Sequence, residues 1–486
     1  MTKRPSFKIA FIPIITLVIL LSFNVYIFSD DSSYGPNQFA LLIAAIVAGL
    51  LGVFHLKLEY KQLEAKTINS ITVAMQAMLI LLVVGALIGV WILNGVVPTM
   101  IFYGIKLIHP AIFLPISLVI CSIVSLATGS SWSTVGTVGI ALIGIGQALG
   151  IPDGMVAGAI VSGSYFGDKM SPLSDTTNLA PAMAGADLFE HIKHMTYTSG
   201  PSYLISLVLF IILGLFYNGE NLNTDNINII METIQSSFNI SLWLFTLPLI
   251  VFVLVKKKVP ALPALIAGTF LGVIYALVFQ PDVLMKLVGG ELSFTNTYEA
   301  ILKVAYGGFE SDTGNKVIDK LFSRGGMSGM LNTLWLILMA MIFGGMMEVT
   351  GMLHKIAEGI LKVVSGVTSL VASTVGTSIF LNLTTSDQYI SIVVTGRMFK
   401  QAYKDQNLKP KNLSRAVEDS ATVTSVLVPW NTCGAYFSTV LGVSTMAYLP
   451  FAFFNLISPV MSILVAASGK TMELNDEDSD TASDNK

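Results

Sequence analysis

The stretch SGSYFGDKMSPLSDTTNLAP, from Ser162 to Pro181, places two aspartates, one lysine and two prolines inside an apolar region. A charged side chain at the centre of a bilayer costs about 2.5–3.5 kcal/mol on insertion scales. Pro172 has no backbone N–H and is expected to break a helix near Ser171. The freed backbone groups are tolerated within a membrane only where they line a polar cavity. The stretch therefore predicts a broken membrane helix beside a polar cavity.

The composition is that of a membrane protein. Of the 486 residues, 53% are hydrophobic and 12% are charged, whereas soluble domains average about 25% charged residues. Apolar runs such as 9–28, 39–54 and 71–93 recur along the chain, and about 20 apolar residues suffice for a helix to cross a bilayer. We therefore predict an all-α polytopic membrane protein, an inverted-repeat transporter with about 12–14 membrane segments, two of them broken helices.

A single transmembrane domain is predicted over residues 1–468, followed by a polar, acidic tail over 469–486 that is expected to be solvated. Three segments are open to two interpretations, as crossings or as re-entrant hairpins that enter and leave one face: 131–149, 387–398 and 415–445. The segment 280–330 has too few apolar residues for a span, and it is expected outside as a surface hairpin or a lid.

Basic residues set the expected orientation. The loops at 55–70, 256–258 and 397–415 are rich in Lys and Arg, and such loops stay in the cytoplasm. The first apolar run follows a basic start and is too long for a typical signal peptide. These features place both termini in the cytoplasm.

The two halves of the chain share a spacing. Each half has a Thr/Ser cluster at the end of an apolar span and, 47 positions later, a proline-broken polar span; the pairs are Thr128 with Asp175, and Thr384 with Asn431. Paired interrupted helices in an inverted repeat mark the central site of a transporter. We predict such repeats over roughly 111–217 and 366–467.

The polar groups at these breaks suit a small hard cation, which takes carboxylate, hydroxyl, amide and carbonyl oxygens as ligands. A buried carboxylate that binds either a proton or a cation couples the two fluxes if it faces one side at a time. The predicted Na⁺/H⁺ site comprises Asp168, Ser174, Asp175, Thr176, Thr177, Asn178, Glu418, Asn431 and Thr432. Asp387 lies in the other kink.

A structural interpretation is open for some of these residues. Asp168 and Lys169 could form an ion pair with each other, or Lys169 could extend its ammonium to the membrane interface. Asp175 could cap the following helix. One of Glu418 and Asp419 could be explained by a helix N-terminal position, where an acidic side chain is favourable.

The stretch GSYFGDKMSPLSDTTNLAP resembles the signature of the NhaC-type sodium/proton antiporter family, and EDSATVTSVLVPWNTCGAYF resembles its second-half segment. The resemblance implies exchange of internal Na⁺ for external H⁺ across a bacterial plasma membrane, by scaffold-type and transport-type parts that often form a homodimer. The resemblance assigns seven residues to positions of the family motif: Asp168, Ser171, Ser174, Asp175, Thr176, Thr177 and Asn178. Some members are similar to sodium-lactate/proton-malate exchangers, so a sodium-coupled organic-acid exchanger is the alternative.

Other function classes are disfavoured. TVGTVG (134–139) lacks the end of a potassium-channel filter, and SGKT (468–471) lacks the preceding glycine of a phosphate-binding loop because position 464 is Leu. No catalytic triad or HExxH motif points to an enzyme. The net charge of −3 gives no reason for a nucleic-acid partner, and no cofactor is expected.

Overall fold

The computed structural model describes residues 4–28, 32, 34–216, 224–257, 259–361 and 365–475. Within these ranges the fold is α-helical, and extended backbone pairs only in the isolated bridges Phe309–Arg324 and Leu408–Leu474. The all-α prediction is confirmed.

The helices of the first half, in chain order, are α1 (Phe7–Phe28), α2 (Pro36–Leu50), α3 (Tyr60–Leu93), α4 (Val96–Leu107), α5 (Pro110–Thr128), α6 (Ser131–Thr134), α7 (Ile140–Ala148), α8 (Asp153–Lys169), α9 (Asp175–Ala184), α10 (Leu188–Phe216), α11 (Thr224–Ser237) and α12 (Thr246–Lys256). A π-helical turn, Val135–Gly139, joins α6 to α7.

The helices of the second half are α13 (Ala261–Phe279), α14 (Pro281–Val288), α15 (Phe294–Gly307), α16 (Lys316–Phe322), α17 (Leu331–Val349), α18 (Met352–Leu361), α19 (Val367–Thr384), α20 (Gln388–Asp405), α21 (Pro410–Val417), α22 (Thr432–Leu441), α23 (Thr445–Tyr448) and α24 (Phe453–Ser468). A π-helical turn, Glu418–Thr422, continues α21.

Long apolar helices make the chain a multi-pass membrane protein. Among the described residues, 8 helices are long and apolar enough to cross a membrane, or up to 10 if each of two bent pairs counts as one span. The predicted total of about 12–14 also counted segments that are broken, short or more polar, which are not long and apolar enough to belong to these 8–10. These are the helix pairs α6–α7, α8–α9 and α21–α22, together with α20.

Two of the segments that were open to two interpretations fold back along the helix that precedes them. The start of α5 lies beside the end of α7, because a Cβ on Gly146 would lie 3.1 Å from the Phe113 ring. Helices α19 and α20 are likewise antiparallel, since the Ser391 hydroxyl donates to the Ser378 carbonyl at 2.9 Å and Thr374 meets the Tyr403 hydroxyl at 3.2 Å. The segments 131–149 and 387–398 are therefore the second legs of antiparallel helical hairpins, and the choice between a crossing and a re-entrant hairpin stays a prediction.

The first hairpin is fixed to α8 through glycines. A Cβ on Gly163 or on Gly167 would lie 2.3 Å from a carbonyl oxygen of α5, so only glycine allows this approach. The Ser125 hydroxyl donates to the Ser164 carbonyl at 2.6 Å. The hairpin tip at Gly129–Ser130 is thereby held next to the break between α8 and α9.

The same elements recur in the second half. A polar N-cap begins the helix after each hairpin tip and after each break, and 44 positions separate Ser130 from Ser174 and Asp387 from Asn431. The Asn382 side chain bonds to the Ala421 carbonyl at 2.7 Å, as Ser125 bonds to α8 in the first half. The inverted relation of the two repeats stays a prediction.

The first residues of the C-terminal tail are docked on the protein, in contrast to the predicted solvated state. The Lys409 amide donates to the Glu473 carbonyl at 2.9 Å, and the Asn475 amide donates to the Asn407 carbonyl at 3.0 Å. The Arg415 guanidinium donates to the Thr471 hydroxyl at 3.1 Å. Residues 469–475 therefore form a docked strap, held by backbone hydrogen bonds to the loop before α21, and residues 476–486 lie outside the described ranges.

Candidate cation site

Both hairpin tips and both breaks border one cavity of about 770 Å³. Its polar lining, apart from Gln76 on α3, consists of Thr128, Ser130, Ser133, Asp168, Ser174, Asp175, Thr176, Asp387, Gln388, Tyr389 and Thr432. Its far wall is formed by α3 around Val73–Ile80, by Val255 and by residues 259–261. Five of the nine predicted site residues thus lie on the cavity, namely Asp168, Ser174, Asp175, Thr176 and Thr432.

Four helix N-termini meet at this cavity, those of α6, α9, α20 and α22. Each begins with a side chain that accepts from the first turn: Ser130 from the Ser133 amide (3.1 Å), Ser174 from the Thr177 amide (3.4 Å), Asp387 from the Ile390 amide (3.0 Å) and Asn431 from the Cys433 amide (3.1 Å). The positive ends of helix dipoles favour negative charge, so carboxylates are stabilised here.

Asp168 lies in the last turn of α8, next to the first hairpin tip. Its Oδ2 accepts from the Ser131 amide at 2.9 Å and from the Ser131 hydroxyl at 2.7 Å. The predicted alternative of an ion pair between Asp168 and Lys169 is wrong, because these neighbours leave α8 in different directions and Lys169 pairs with Asp419.

Asp175 begins α9 and lies exposed on the cavity. Ser174, rather than Asp175, caps the helix, so the capping alternative for Asp175 is wrong. Within the described part of the chain, the Asp175 carboxylate has no hydrogen bond or ion pair. It is the carboxylate most available to an incoming cation.

Asp387 is a cavity residue that the nine predicted positions omit. It is 2% exposed, caps α20, and accepts from the Thr432 hydroxyl at 3.3 Å. The bond joins the second hairpin tip to the second break. The sequence signal was the kink at Thr384–Gln388, where Asp387 is the one acidic residue.

Thr177 and Asn178 lie off the cavity and hold the first break together. The Thr177 hydroxyl donates to the carbonyls of Lys169 at 2.9 Å and Asp168 at 3.3 Å. The Asn178 amide donates to the carbonyls of Pro172 at 2.9 Å and Ser174 at 2.7 Å. The two side chains thus bond to backbone carbonyls on both sides of the break.

Asn431 and Glu418 do not line the cavity. The Asn431 amide donates to the Asn382 carbonyl at 3.1 Å. Glu418 is fully buried, and neither carboxylate oxygen has a hydrogen-bond partner within the described residues. Glu418 and Asp419 lie in the π-helical turn after α21, so the helix N-terminal explanation for them is wrong.

A buried ion pair crosses from the first half to the second. Lys169 and Asp419 are both 0% exposed and bond to each other. Asp419 also accepts from the Thr198 hydroxyl at 3.0 Å, and the Lys169 ammonium donates to Ser458 at 3.2 Å. Lys169 therefore does not extend to the interface, and its charge is turned away from the cavity.

The cavity is acidic. Asp168, Asp175 and Asp387 line it, and no Lys, Arg or His does so in the described ranges. Within those ranges, no group of three or more His, Cys, Asp or Glu side chains is placed to hold one metal ion. A cation here would therefore take hydroxyl or water oxygens together with one or two carboxylates.

Comparison with known proteins identifies a family of antiporters. The model of the Na⁺/H⁺ antiporter family matches residues 163–470. The malate-2H⁺/Na⁺-lactate antiporter of Bacillus subtilis is 39% identical over 96% of this chain and 95% of its own. The Na⁺/H⁺ antiporter NhaC of Alkalihalophilus pseudofirmus is 38% identical over 88% of this chain and 89% of its own. NhaC of Bacillus subtilis is 37% identical over 84% and 87%. This chain belongs to the Na⁺/H⁺ antiporter family.

Proposed function

We propose that the protein exchanges cytoplasmic Na⁺ for external H⁺ by alternating access, and that the acidic cavity is its cation site. The observation that carries the proposal is the convergence of three carboxylates, on Asp168, Asp175 and Asp387, at the tips and breaks of the helices. The membrane is the bacterial plasma membrane, with both termini in the cytoplasm. A homodimer stays a prediction.

Exchange follows from the charge of the cavity. Asp168 and Asp387 are each held by donors from the protein, whereas Asp175 has none among the described residues. A cation bound at Asp175 neutralises that carboxylate, and so does a proton. Because the two compete for one carboxylate, the loaded carrier moves either Na⁺ or H⁺, and this competition couples their fluxes.

The orientation of the cavity supports sodium export. Its far wall includes Val255, Val259 and Pro260, next to the basic residues Lys256 and Lys257. Basic loops lie in the cytoplasm, so the cavity opens towards the cytoplasm and the conformation is inward-facing. Cytoplasmic Na⁺ is then the ion that reaches Asp175.

A sodium-coupled organic-acid exchanger is the second candidate. The cavity volume of about 770 Å³ favours it, because a single water occupies only about 30 Å³ in the liquid. The helix N-termini of α20 and α22 could face a carboxylate. The absence of a basic side chain from the described lining argues against a free anion, so an organic acid would need to enter together with a cation.

The test uses purified protein in liposomes with a pH dye inside. Protons are loaded inside and Na⁺ is added outside; alkalinisation of the lumen on Na⁺ alone supports Na⁺/H⁺ exchange. If the dye responds only with malate outside and lactate inside, the organic-acid exchanger replaces it.

The variant Asp175→Asn is expected to abolish the response while folding normally. The matched control is Asp405→Asn, an exposed aspartate at the far end of α20. Exchange by Asp175→Asn at the wild-type rate would remove Asp175 from the site.

A further inference from the structure

Two helices with their N-termini at the cavity have their other ends at one arginine. The segment α6–α7 begins at the cavity and ends near Gln147, and α22 begins at the cavity and ends at Leu441. The Arg324 guanidinium donates through one nitrogen to the Gln147 Oε1 at 3.0 Å and through another to the Leu441 carbonyl at 3.4 Å. Arg324 therefore joins the two helices on the side of the protein opposite the cavity mouth.

The guanidinium suits this position. The last carbonyls of a helix have no intrahelical partner and carry the negative end of the dipole. Leu441 contributes such a carbonyl, since Gly442 ends α22 with φ +67°. Within the described residues, Arg324 has no carboxylate within 4 Å, and its hydrogen bonds go to the two helix ends. Asp153, at the start of α8, is the acidic side chain that attracts its charge from a greater distance. A guanidinium presents several donors in a fixed plane, whereas a lysine offers a point charge.

The backbone around Arg324 is fixed to α3. Gly325 and Gly326 have φ of +89° and +83°, which favours glycine. The Gly326 amide donates to the Gly85 carbonyl at 2.7 Å, and a Cβ on Gly85 would lie 2.5 Å from the Gly326 carbonyl. The Phe309 amide bonds to the Arg324 carbonyl at 3.1 Å. Arg324 is thus a rigid extension of α3, not a mobile surface side chain.

Helix α3 also forms the far wall of the cavity, at Val73–Ile80. One side of the cavity is therefore α3, the other is the group of hairpin tips and breaks, and Arg324 ties the two together at the closed end. A cavity that is to open at that end has to separate the ends of α7 and α22 from α3.

We infer that Arg324 is a positioning residue for the exchange, which holds the closed end of the cavity shut in the inward-facing state. Opening to the external side requires its bonds to Gln147 and Leu441 to break. This inference rests on the proposed exchange function, because a closed end matters only for a carrier that opens alternately.

The test measures from which side of the membrane the cavity is reached. Ile80, which lines the cavity on α3, is changed to cysteine in a background in which the native Cys121 and Cys433 are alanine. A membrane-impermeant maleimide is applied to right-side-out and to inside-out vesicles. The parent protein is expected to label mainly from the cytoplasmic side.

Two substitutions should move this preference in opposite directions. Arg324→Gln removes the charged donor, so labelling from outside should rise about tenfold relative to labelling from inside, as expected for the loss of hydrogen bonds to a charged group. Gln147→Glu gives Arg324 a carboxylate partner, which is stronger than an amide, and outside labelling should fall. If Arg324 had only a structural role, the two substitutions would not change the ratio of outside to inside labelling in opposite directions.

Transport kinetics provide a second test of the role of Arg324. In Arg324→Gln the inward-facing state is less populated, so the KM for Na⁺ applied from the cytoplasmic side should rise more than kcat falls. Arg324→Lys should lie between wild type and Arg324→Gln. The matched control is Lys303→Gln, an exposed basic residue of α15, which should leave both readouts unchanged.

The inference would be overturned if the ratio of outside to inside labelling were the same in wild type, Arg324→Gln and Gln147→Glu. If Arg324→Gln fails to fold, Gln147→Glu and Gln147→Ala still decide it, because Gln147→Ala should raise outside labelling. The labelling reads the conformation without Na⁺/H⁺ exchange, so failure of the proposed function would be seen separately, as a wild-type protein without a pH response in liposomes.

Discussion

The Lys169–Asp419 pair allows a quantitative test of how the two halves are held together. Both side chains are 0% exposed, and removing one partner of a buried pair costs about 3–5 kcal/mol because the other charge stays buried and unpaired. In Asp419→Asn the amide oxygen still accepts from Thr198, and Lys169 keeps its bond to Ser458 at 3.2 Å. The loss should therefore lie at the lower end, about 3 kcal/mol of unfolding free energy.

The assay is unfolding by SDS in dodecyl maltoside micelles, followed by tryptophan fluorescence. Replacing both charges, in Lys169→Met with Asp419→Leu, should return the stability to within about 1 kcal/mol of wild type or raise it, since apolar replacement of a buried pair is often neutral or stabilising. The exposed Asp405→Asn should have no effect.

Two results would refute the reasoning. One is an Asp419→Asn protein whose unfolding free energy differs from that of wild type by less than about 1 kcal/mol, against the expected cost of an unpaired buried charge. The other is a double variant less stable than either single variant, which would mean that the pair contributes more than the cancellation of two buried charges.

Three further predictions follow from the cavity and the strap. Asp387→Asn should keep the cap of α20, because Asn caps as well as Asp, yet raise the KM for Na⁺ at least tenfold in the liposome assay. Unchanged KM would exclude Asp387 from the site. Thr177→Val should lower the unfolding free energy by about 1–3 kcal/mol, because the Lys169 carbonyl loses its hydroxyl donor, whereas the Asp168 carbonyl still accepts from the Ser171 amide; SDS unfolding measures it, with the exposed Thr295→Val as control. The ion pair with Lys411 lowers the pKa of Glu473 below its ordinary 4.5, so docking of the strap is intact above that pH and weakens as the pH falls below it. The protection of the Lys409 amide, which is its exchange rate relative to the intrinsic rate at each pH, should decrease only in acid, and a decrease that begins at neutral pH would contradict this.

The sequence predicted those features that depend on local chemistry. Pro172 located the first break, and the clusters near Thr128 and Thr384 located both hairpin tips. Each follows from a helix breaker or a polar cluster inside an apolar run, which can be read along the chain.

The pairings between distant residues could not be predicted from the sequence. Nothing near Lys169 marks Asp419, 250 positions away, as its partner. Thr177 and Asn178 carry the same ligand-type oxygens as Thr176, and only the path of the backbone decides that they face the break and not the cavity. The docking of Arg324 likewise depends on the arrangement of α3, α7 and α22.

The way the first break is held has a consequence for ion recognition. Because Thr177 and Asn178 satisfy the carbonyls around Pro172, the break keeps its shape with no ion present. Binding then carries no ordering cost for the backbone, and the free energy of binding is set by how well the oxygens replace the hydration shell of the ion. Discrimination among alkali cations should accordingly follow their dehydration energies, with little change in protein heat capacity on binding.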